Sequence, residues 1–270
     1  MIVERRWRIG LRVVALSWFL LLLLAPVGLV FYRTFEHGVG AVIDSITTPA
    51  AVSAFWLTIE VTAIAVPLNA IVGVLMALAL ARGRFRGKAL LNGLLDLPFA
   101  ISPVVIGLSL VLLYGRTGWF GPWLADHGIQ IIFSIPGIVL ATIFVSLPFV
   151  AREVTPVLRE IGDEQEQAAA TLGAGGWTTF RRITFPAIRW GLAYGIVLSV
   201  ARAIGEFGAV SVVSGRVAGE TMTLTLLVQQ RFENFDLAGA YAASTLLAVI
   251  ALLTLLVMTR INPRREEHDS

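Results

Sequence analysis

The sequence predicts an all-α, polytopic membrane protein with six transmembrane helices. Hydrophobic residues make up 57% of the 270 residues, charged residues only 14%, and the mean hydropathy is +0.81. A soluble domain would carry charges on about a quarter of its residues. Six mostly apolar stretches of roughly 20 residues are each long enough to cross a hydrocarbon layer about 30 Å thick. We therefore expect residues 1–270 to form a single transmembrane domain.

Composition also excludes several classes of function. The chain contains no cysteine, which excludes disulfides, thiol catalysis and cysteine metal sites. The net charge of +3 could suggest nucleic acid, but the positions of the charges matter more than their sum. We expect a chain surrounded by membrane lipid that does not bind nucleic acid.

The first apolar stretch, residues 13–32, follows four arginines and has the general form of a signal peptide. Its length is nevertheless enough to span the membrane, and no small-x-small cleavage site follows it. We interpret it as the first transmembrane helix. The other predicted spans are residues 55–81, 97–114, 131–151, 190–213 and 238–259.

Prolines lie inside three of these spans: Pro67 in the second, Pro98 and Pro103 in the third, and Pro136 and Pro148 in the fourth. Neighbouring helices can satisfy the backbone groups that a proline frees. We therefore interpret each stretch as one span.

The basic residues predict the orientation in the membrane. Sixteen lysines and arginines fall in segments on one side of the six spans, and only four fall on the other side. By the positive-inside rule the richer side is cytoplasmic. Both termini and residues 163–186 are then cytoplasmic, whereas residues 33–54, 115–130 and 214–237 are external.

Residues 163–186 form a polar island in this apolar chain, with the sequence DEQEQAAATLGAGGWTTFRRITFP. Asp163, Glu164 and Glu166 are placed to satisfy the free N–H groups in the first turn of a short helix. The alanines after them would let another protein approach the backbone closely. The left-handed backbone angles that end a helix are expected at three glycines, namely Gly173, Gly175 and Gly176.

A second short helix is expected after these glycines, with Thr178 or Thr179 as its cap and Pro186 at its end. Its apolar face would carry Trp177, Phe180 and Ile183, which are spaced by three residues. Two short helices joined by a glycine turn form a knob that can dock into a groove on a partner protein. The alternative is an ordinary solvated cytoplasmic hairpin.

The spacing in this island resembles that of the membrane subunits of ATP-driven importers. Their cytoplasmic coupling loop has the pattern E-A-A, three residues, G, nine residues, I-x-L-P. Two positions depart from it, since Gln167 replaces the glutamate, with Glu166 beside it, and Phe185 replaces the leucine. The resemblance implies that the ATPase-coupling residues are Glu166, Gln167, Ala168, Ala169, Gly173, Ile183 and Pro186.

The resemblance extends over nearly the whole chain. Residues 38–44 (GVGAVID), 95–108 (LDLPFAISPVVIGL), 144–157 (FVSLPFVAREVTPV) and 201–221 (ARAIGEFGAVSVVSGRVAGET) are similar to the W-type permeases of bacterial sulfate/thiosulfate importers. This implies the bundle of a type I ABC importer permease in the cytoplasmic membrane of a bacterium. Molybdate permeases share the GEFGA run, and a molybdate or tungstate ABC permease is the leading alternative.

The resemblance also implies the partners and the mechanism. The partners are a second, homologous permease in a heterodimer, two ATPase subunits and an extracytoplasmic sulfate-binding protein. The implied mechanism is alternating access.

The sequence GRFRGK at residues 83–88 has too few residues between its glycines for a phosphate-binding loop, and Ala89 stands where Ser or Thr is needed. We therefore expect this chain to bind no cofactor, and the ATPase partner to use ATP and magnesium.

An intramembrane ion pair is predicted in the fifth span, where Arg202 and Glu206 are four residues apart. A charge inside a span usually faces the bundle interior or a water-filled path. Gly191, Gly195 and Ser199 fall on the same helical stripe, and small residues favour close helix packing. The stripe is predicted to line the translocation path or to meet other helices. The alternative is a self-neutralising pair that only holds the bundle together.

Two other classes of protein share some of these features. An ion-coupled secondary transporter or channel would also show six helices and an ion pair, but it does not need the coupling loop. An intramembrane enzyme needs a nucleophile with its base, or a set of metal ligands, within the membrane.

Glu60 and Asp96 are expected at the membrane interfaces. His37, His127 and His268 lack the spacing of metal ligands, so no metal site is predicted.

Overall fold

The computed structural model describes residues 2–36 and 38–261, and this part of the chain is helical without a strand. His37, His268, Arg264 and Arg265 lie outside the described residues. The helices are α1 (Ile2–Phe19), α2 (Ala25–Phe35), α3 (Gly38–Ile46), α4 (Pro49–Arg82), α5 (Lys88–Ala100), α6 (Pro103–Tyr114), α7 (Gly121–Asp126), α8 (Ile135–Glu160), α9 (Glu164–Thr171), α10 (Gly176–Thr179), α11 (Phe185–Ile204), α12 (Val210–Val213), α13 (Leu224–Glu233) and α14 (Leu237–Ile261).

Five helical segments of the described chain are long and apolar enough to cross a membrane. They are Gly10–Phe35, Pro49–Arg82, Ile135–Glu160, Gly176–Ile204 and Leu237–Arg260. A sixth crossing is obtained if α5 and α6 are counted together as one broken span. The predicted all-α membrane architecture is confirmed.

The third span is not a continuous helix, and that part of the prediction is wrong. The axes of α5 and α6 differ in direction by 112°. Ile101 and Ser102 between them are extended, with ψ angles of 135°. Ser102 precedes Pro103, and a residue before proline is driven out of the helical region by its ring. Pro98, by contrast, is tolerated inside α5.

Two other prolines are accommodated by a π-helical turn that precedes them. Leu20–Leu24 is π-helical before Pro26, and Phe180–Thr184 is π-helical before Pro186. A proline has no N–H to donate and its ring clashes with a preceding carbonyl, which a wider turn relieves. The helix therefore continues from α10 into α11. The expectation that Pro186 ends a short helix is wrong.

The fifth span ends nine residues earlier than predicted, at Ile204, and α12 is a separate short helix. The non-helical backbone between them is held by side-chain hydrogen bonds. Glu206 Oε1 accepts a hydrogen bond from the Ala209 N–H at 2.8 Å, and Thr225 Oγ1 donates to the Glu206 carbonyl at 2.8 Å. These bonds replace the helical ones that the break removes. In the fourth span, Pro136 lies in the first turn of α8 rather than in its interior.

The core of the bundle lies where α8 packs between α4 and α11. Fully buried Val150 of α8 faces a glycine on each neighbour. A Cβ atom on Gly73 would lie 2.7 Å from Val150 Cβ, and one on Gly195 would lie 2.9 Å from Val150 Cα. Glycine at both positions therefore permits an approach that any side chain would prevent.

A buried polar cluster lies about one turn from this contact. Asn69 of α4 donates to Ser146 Oγ at 2.8 Å and to the Ile143 carbonyl at 3.2 Å, both on α8. Ser199 of α11 donates to the Ser146 carbonyl at 3.4 Å. These hydrogen bonds fix the register of the three helices, because slippage would leave buried polar groups without partners.

We expect Gly73→Ala to destabilise the protein, whereas Gly93→Ala leaves it equal or slightly more stable. Both changes improve helix propensity equally. The Cβ on Gly73 would be forced against α8, with Ala151 N at 3.2 Å, whereas no heavy atom lies within 4 Å of a Cβ on Gly93. Overpacking costs about 1–3 kcal/mol. The midpoint of thermal unfolding in detergent measures the difference, and equal midpoints would contradict the close contact.

Candidate functional site

The predicted coupling loop, residues 163–186, contains α9, a turn and α10. Of its three glycines, only Gly173 has a left-handed backbone, with a φ of +81°. Gly175 has a φ of −72° and caps α10, and Gly176 is the first residue of that helix. The prediction of left-handed angles is therefore right for Gly173 and wrong for the other two.

The caps of the two short helices also differ from the prediction. Asp163 is the N-cap of α9, but its side chain makes no capping hydrogen bond. Gly175 holds the cap position of α10, so Thr178 and Thr179 lie inside that helix and do not cap it. A glycine at the cap leaves the N-terminal N–H groups of α10 accessible.

The outer surface of the loop is formed by Gln167, Ala168, Leu172 and Gly173, which are all exposed. Leu172 has 88% of its surface exposed, so this polar segment carries a large apolar side chain on its surface. Sequence reasoning missed Leu172, although its place between the helix and the glycine was a usable signal. Ala169, by contrast, is half-buried.

The second part of the loop carries an aromatic pair. Trp177 is 73% exposed and stacks on Phe180 with ring centroids 5.7 Å apart. Phe180 and Ile183 are half-buried, whereas Pro186 is exposed. The predicted apolar face therefore lies partly against the bundle and leaves the tryptophan ring accessible.

Glu166 points inward, toward the bundle, where both of its carboxylate oxygens are occupied. Arg82 Nε lies 2.9 Å from Glu166 Oε2, and Thr184 Oγ1 donates to Oε1 at 2.7 Å. The same guanidinium donates to the Leu158 carbonyl at 2.7 Å and to the Gly162 carbonyl at 2.5 Å. We call this arrangement of Arg82, Leu158, Gly162 and Glu166 the Arg82 clamp. In the sequence, the only signal for this clamp is a basic residue in a segment predicted to be cytoplasmic.

The ion pair of the fifth span is present, although Glu206 lies beyond the end of the helix. Arg202 Nη1 is 2.6 Å from Glu206 Oε2, and the side chains are 31% and 1% exposed. The contact is not aligned along an N–H bond, so Oε2 has no well-directed hydrogen-bond donor among the described residues. Gly191 lies against α8, where an added Cβ would be 2.9 Å from Val157 Cγ2.

A cavity of about 10 Å³ adjoins this carboxylate. Its polar lining comes from Glu206 and from Thr58, Thr142 and Thr223. The volume is about that needed for a single water molecule. The stripe from Gly191 to Ser199 thus packs on α8, whereas Glu206 closes a small polar space where four helices meet.

A second ion pair connects Asp96 of α5 with Arg152 of α8, which gives Asp96 a specific partner in addition to its expected interfacial place. Glu60 is exposed on α4. His127 makes a hydrogen bond through Nδ1 to the Trp123 carbonyl. Within residues 2–36 and 38–261, no three histidine or acidic side chains are grouped so that they could hold a metal ion.

The predicted external side contains a cavity of about 780 Å³ beside α6 and α7. Tyr114, Arg116 and Gln130 contribute to its lining. Trp119 in the same external segment is 86% exposed. This side therefore presents an open, partly aromatic surface.

Residues 69–267 match a family described as "Binding-protein-dependent transport system inner membrane component". The chain belongs to this family. Members are permease subunits of ABC importers in the inner membrane, and the chain is accordingly a multi-pass permease subunit and not itself an ATPase.

Named relatives confirm the resemblance to sulfate importer permeases. The chain is 51% identical over 256 residues to the sulfate transport system permease protein CysW of Synechocystis sp., covering 95% of this chain and 93% of that protein. It is 45% identical over 262 residues to CysW of Escherichia coli, covering 94% and 90%. It is 46% identical over 248 residues to the chloroplastic sulfate permease 2 of Chlamydomonas reinhardtii, covering 92% and 67%.

The fold is shared with a solved transporter. A bacterial ABC transporter involved in the import of the acidic polysaccharide alginate superposes with a TM-score of 0.78, covering 98% of both chains at 19% identity. Similarity at this identity supports the fold alone. It agrees with the predicted bundle of an ABC importer permease.

We expect Arg202→Ala to be far more disruptive than Arg33→Ala. Removing Arg202 leaves the buried Glu206 carboxylate without a counter-charge, which costs about 3–5 kcal/mol. Arg33 pairs with Glu36 at 2.9 Å on the surface, so its loss should change little. Thermal unfolding of the two variants in detergent provides the measurement. Equal midpoints would show that the buried pair has no special role.

We expect Gly173→Ala to loosen the end of α9, whereas Gly175→Ala does not. Neither added Cβ has a heavy atom within 4 Å, so crowding is the same at both positions. Only Gly173 has a left-handed backbone, which costs a non-glycine residue about 1–2 kcal/mol. Amide hydrogen exchange of residues 164–172 should accelerate about 5- to 30-fold in the Gly173 variant alone. Equal exchange in both variants would exclude backbone strain as the reason for this glycine.

Proposed function

We propose that this chain is a transmembrane subunit of an ATP-driven importer of sulfate or thiosulfate. The observation that carries the proposal is the 45–51% identity to sulfate permeases over at least 90% of this chain. The exposed coupling loop supports the ATP-driven class, because an ion-coupled transporter has no need of such a surface.

The working unit we propose contains this chain, a second, homologous permease, two ATPase subunits and an extracytoplasmic sulfate-binding protein. The family description supports dependence on a binding protein. The open external surface near Trp119 and the 780 Å³ cavity offer that protein a place to dock. The ATPase partner would bind ATP and magnesium, and this chain would bind no cofactor.

The proposal also includes the orientation of this chain in the membrane. Both termini and the coupling loop would be cytoplasmic, as the distribution of lysine and arginine indicates. In the described chain the last residue of α4 and the end of α8 lie beside the loop, and the loop itself runs into the start of α11. A movement imposed on the loop would therefore reach three helices at the same end.

The mechanism we propose is alternating access. Closure of the ATPase dimer on ATP would draw the outer loop surface, Gln167 to Gly173, toward the ATPase axis. Coupling requires contacts that differ between the two states. Leu172 and Trp177 supply the apolar anchor for such contacts, since both are largely exposed. Arg202 and Glu206 would lie along or beside the path that opens.

Deletion of the gene should abolish uptake of labelled sulfate by the cell, and restoration of the gene should return it. Molybdate uptake measured in parallel should remain unchanged, because relatives that are 51% and 45% identical to this chain are named sulfate permeases. A matched control restores the gene with the substitution Gly173→Asp. The variant protein should insert in the membrane but fail to transport sulfate.

The opposite result would contradict the proposal. If sulfate uptake persisted while molybdate uptake fell, the chain would be a molybdate or tungstate permease. If uptake survived removal of the ATPase subunits, the ATP-driven class itself would be wrong.

A further inference from the structure

The Arg82 clamp lies where α4, α8 and the coupling loop meet, and neither the loop motif nor the predicted ATPase-contacting surface includes Arg82. We infer that Arg82 is the positioning residue that makes the coupling loop and the cytoplasmic ends of α4 and α8 move as one body. This inference rests on the proposed function, because it assigns the residue that transmits the movement of that loop.

Within the clamp, the guanidinium group of Arg82 donates hydrogen bonds in three directions. Nε lies against the Glu166 carboxylate, Nη1 donates to the Leu158 carbonyl and Nη2 donates to the Gly162 carbonyl. Each acceptor belongs to a different element, namely α9, α8 and the connection between them. A planar fork of fixed geometry can satisfy three such acceptors together, whereas an ammonium group concentrates its charge at one point.

The two carbonyl acceptors of Arg82 lie at a helix end, where backbone donors are lacking. Leu158 lies in the last turn of α8, where carbonyl groups have no partner within the helix. Gly162 follows the helix with a left-handed φ of +65°, which turns the chain back toward Arg82. Arg82 therefore satisfies backbone groups that the end of a helix leaves open, and fixes the path of the chain into α9.

Thr184 extends the connection to α11. Its buried hydroxyl donates to the second oxygen of Glu166, and it is the last residue of the π-helical turn that precedes α11. Glu166 is thus held from two sides, and α9 cannot shift without moving α4 or α11. Glu166 acts inside the chain in this arrangement, and contact with the ATPase is left to Gln167 and its exposed neighbours.

The comparison of Arg82 with Arg84 isolates this role. Arg84 lies two residues further along, is exposed, and carries the same charge toward the same side of the membrane. If only the number of positive charges mattered, loss of either arginine would have the same effect. If the clamp transmits movement, only loss of Arg82 will uncouple the loop.

The test uses the complete complex in lipid vesicles, with Arg82→Ala, Arg82→Lys and, as the control, Arg84→Ala. Amide hydrogen exchange of residues 163–172 should accelerate about tenfold or more in both Arg82 variants, because a hydrogen bond to a charged group contributes at least that factor. Stimulation of ATPase activity by the sulfate-loaded binding protein should be lost, while basal ATPase activity and complex yield are kept. A purely structural role would lower basal activity and yield together.

Several outcomes would overturn the inference. They are unchanged exchange with normal stimulation in Arg82→Ala, full function in Arg82→Lys, or equal effects in Arg84→Ala. If Arg82→Ala does not assemble, Glu166→Gln replaces it, since it keeps the size of the side chain and removes the charge. Normal exchange and normal stimulation in Glu166→Gln would then refute the clamp.

The two measurements distinguish a wrong proposed function from a wrong inference about Arg82. Hydrogen exchange requires no transported anion, so it tests the clamp in any case. If sulfate-loaded binding protein does not stimulate the wild-type complex, the sulfate assignment fails whatever the exchange shows.

Discussion

The close packing of the helix bundle depends on two glycines, which have no side chain at the point of contact. Val150 of α8 fits between α4 and α11 because Gly73 and Gly195 carry none, and the added atoms would lie within 3 Å of it. In a membrane, where lipid offers helices an equally apolar surface, such close contact is a main source of association. The hydrogen bonds of Asn69, Ser146 and Ser199 then fix the register that the close contact permits.

This register decides which residues meet at the end of the bundle that carries residues 163–186. Arg82 lies nine residues beyond Gly73 on α4, and Leu158 lies eight residues beyond Val150 on α8. At 1.5 Å per residue the two positions reach nearly the same level, which brings the guanidinium to the open carbonyls of α8. The predicted coupling loop is therefore positioned by helix packing in the bundle as well as by its own sequence.

The part of the bundle farther from residues 163–186 is built differently. The break between α5 and α6 meets the segment that follows the end of α11, with Gly208 beside Pro103 and Gly107 beside Ala209. Irregular backbone is tolerated at membrane depth only where protein or a water-filled cavity surrounds it. Glu206 supplies part of that surrounding through its bond to the Ala209 N–H. The result is a bundle in which α4 and α8 are continuous, whereas irregular segments separate α5 from α6 and α11 from α12.

The sequence by itself determined the all-α membrane class and indicated five to six crossings, and it predicted a coupling loop at residues 163–186. These follow from local composition, charge and spacing, which a chain carries regardless of its partners. Only the tertiary structure decided that Glu166 faces Arg82, that Gly173 alone of the three glycines is left-handed, that the third span is broken, and that the fifth ends at Ile204. Periodicity cannot reveal such features, because each depends on a contact between residues that are distant in the sequence or on a balance between proline sterics and neighbouring helices.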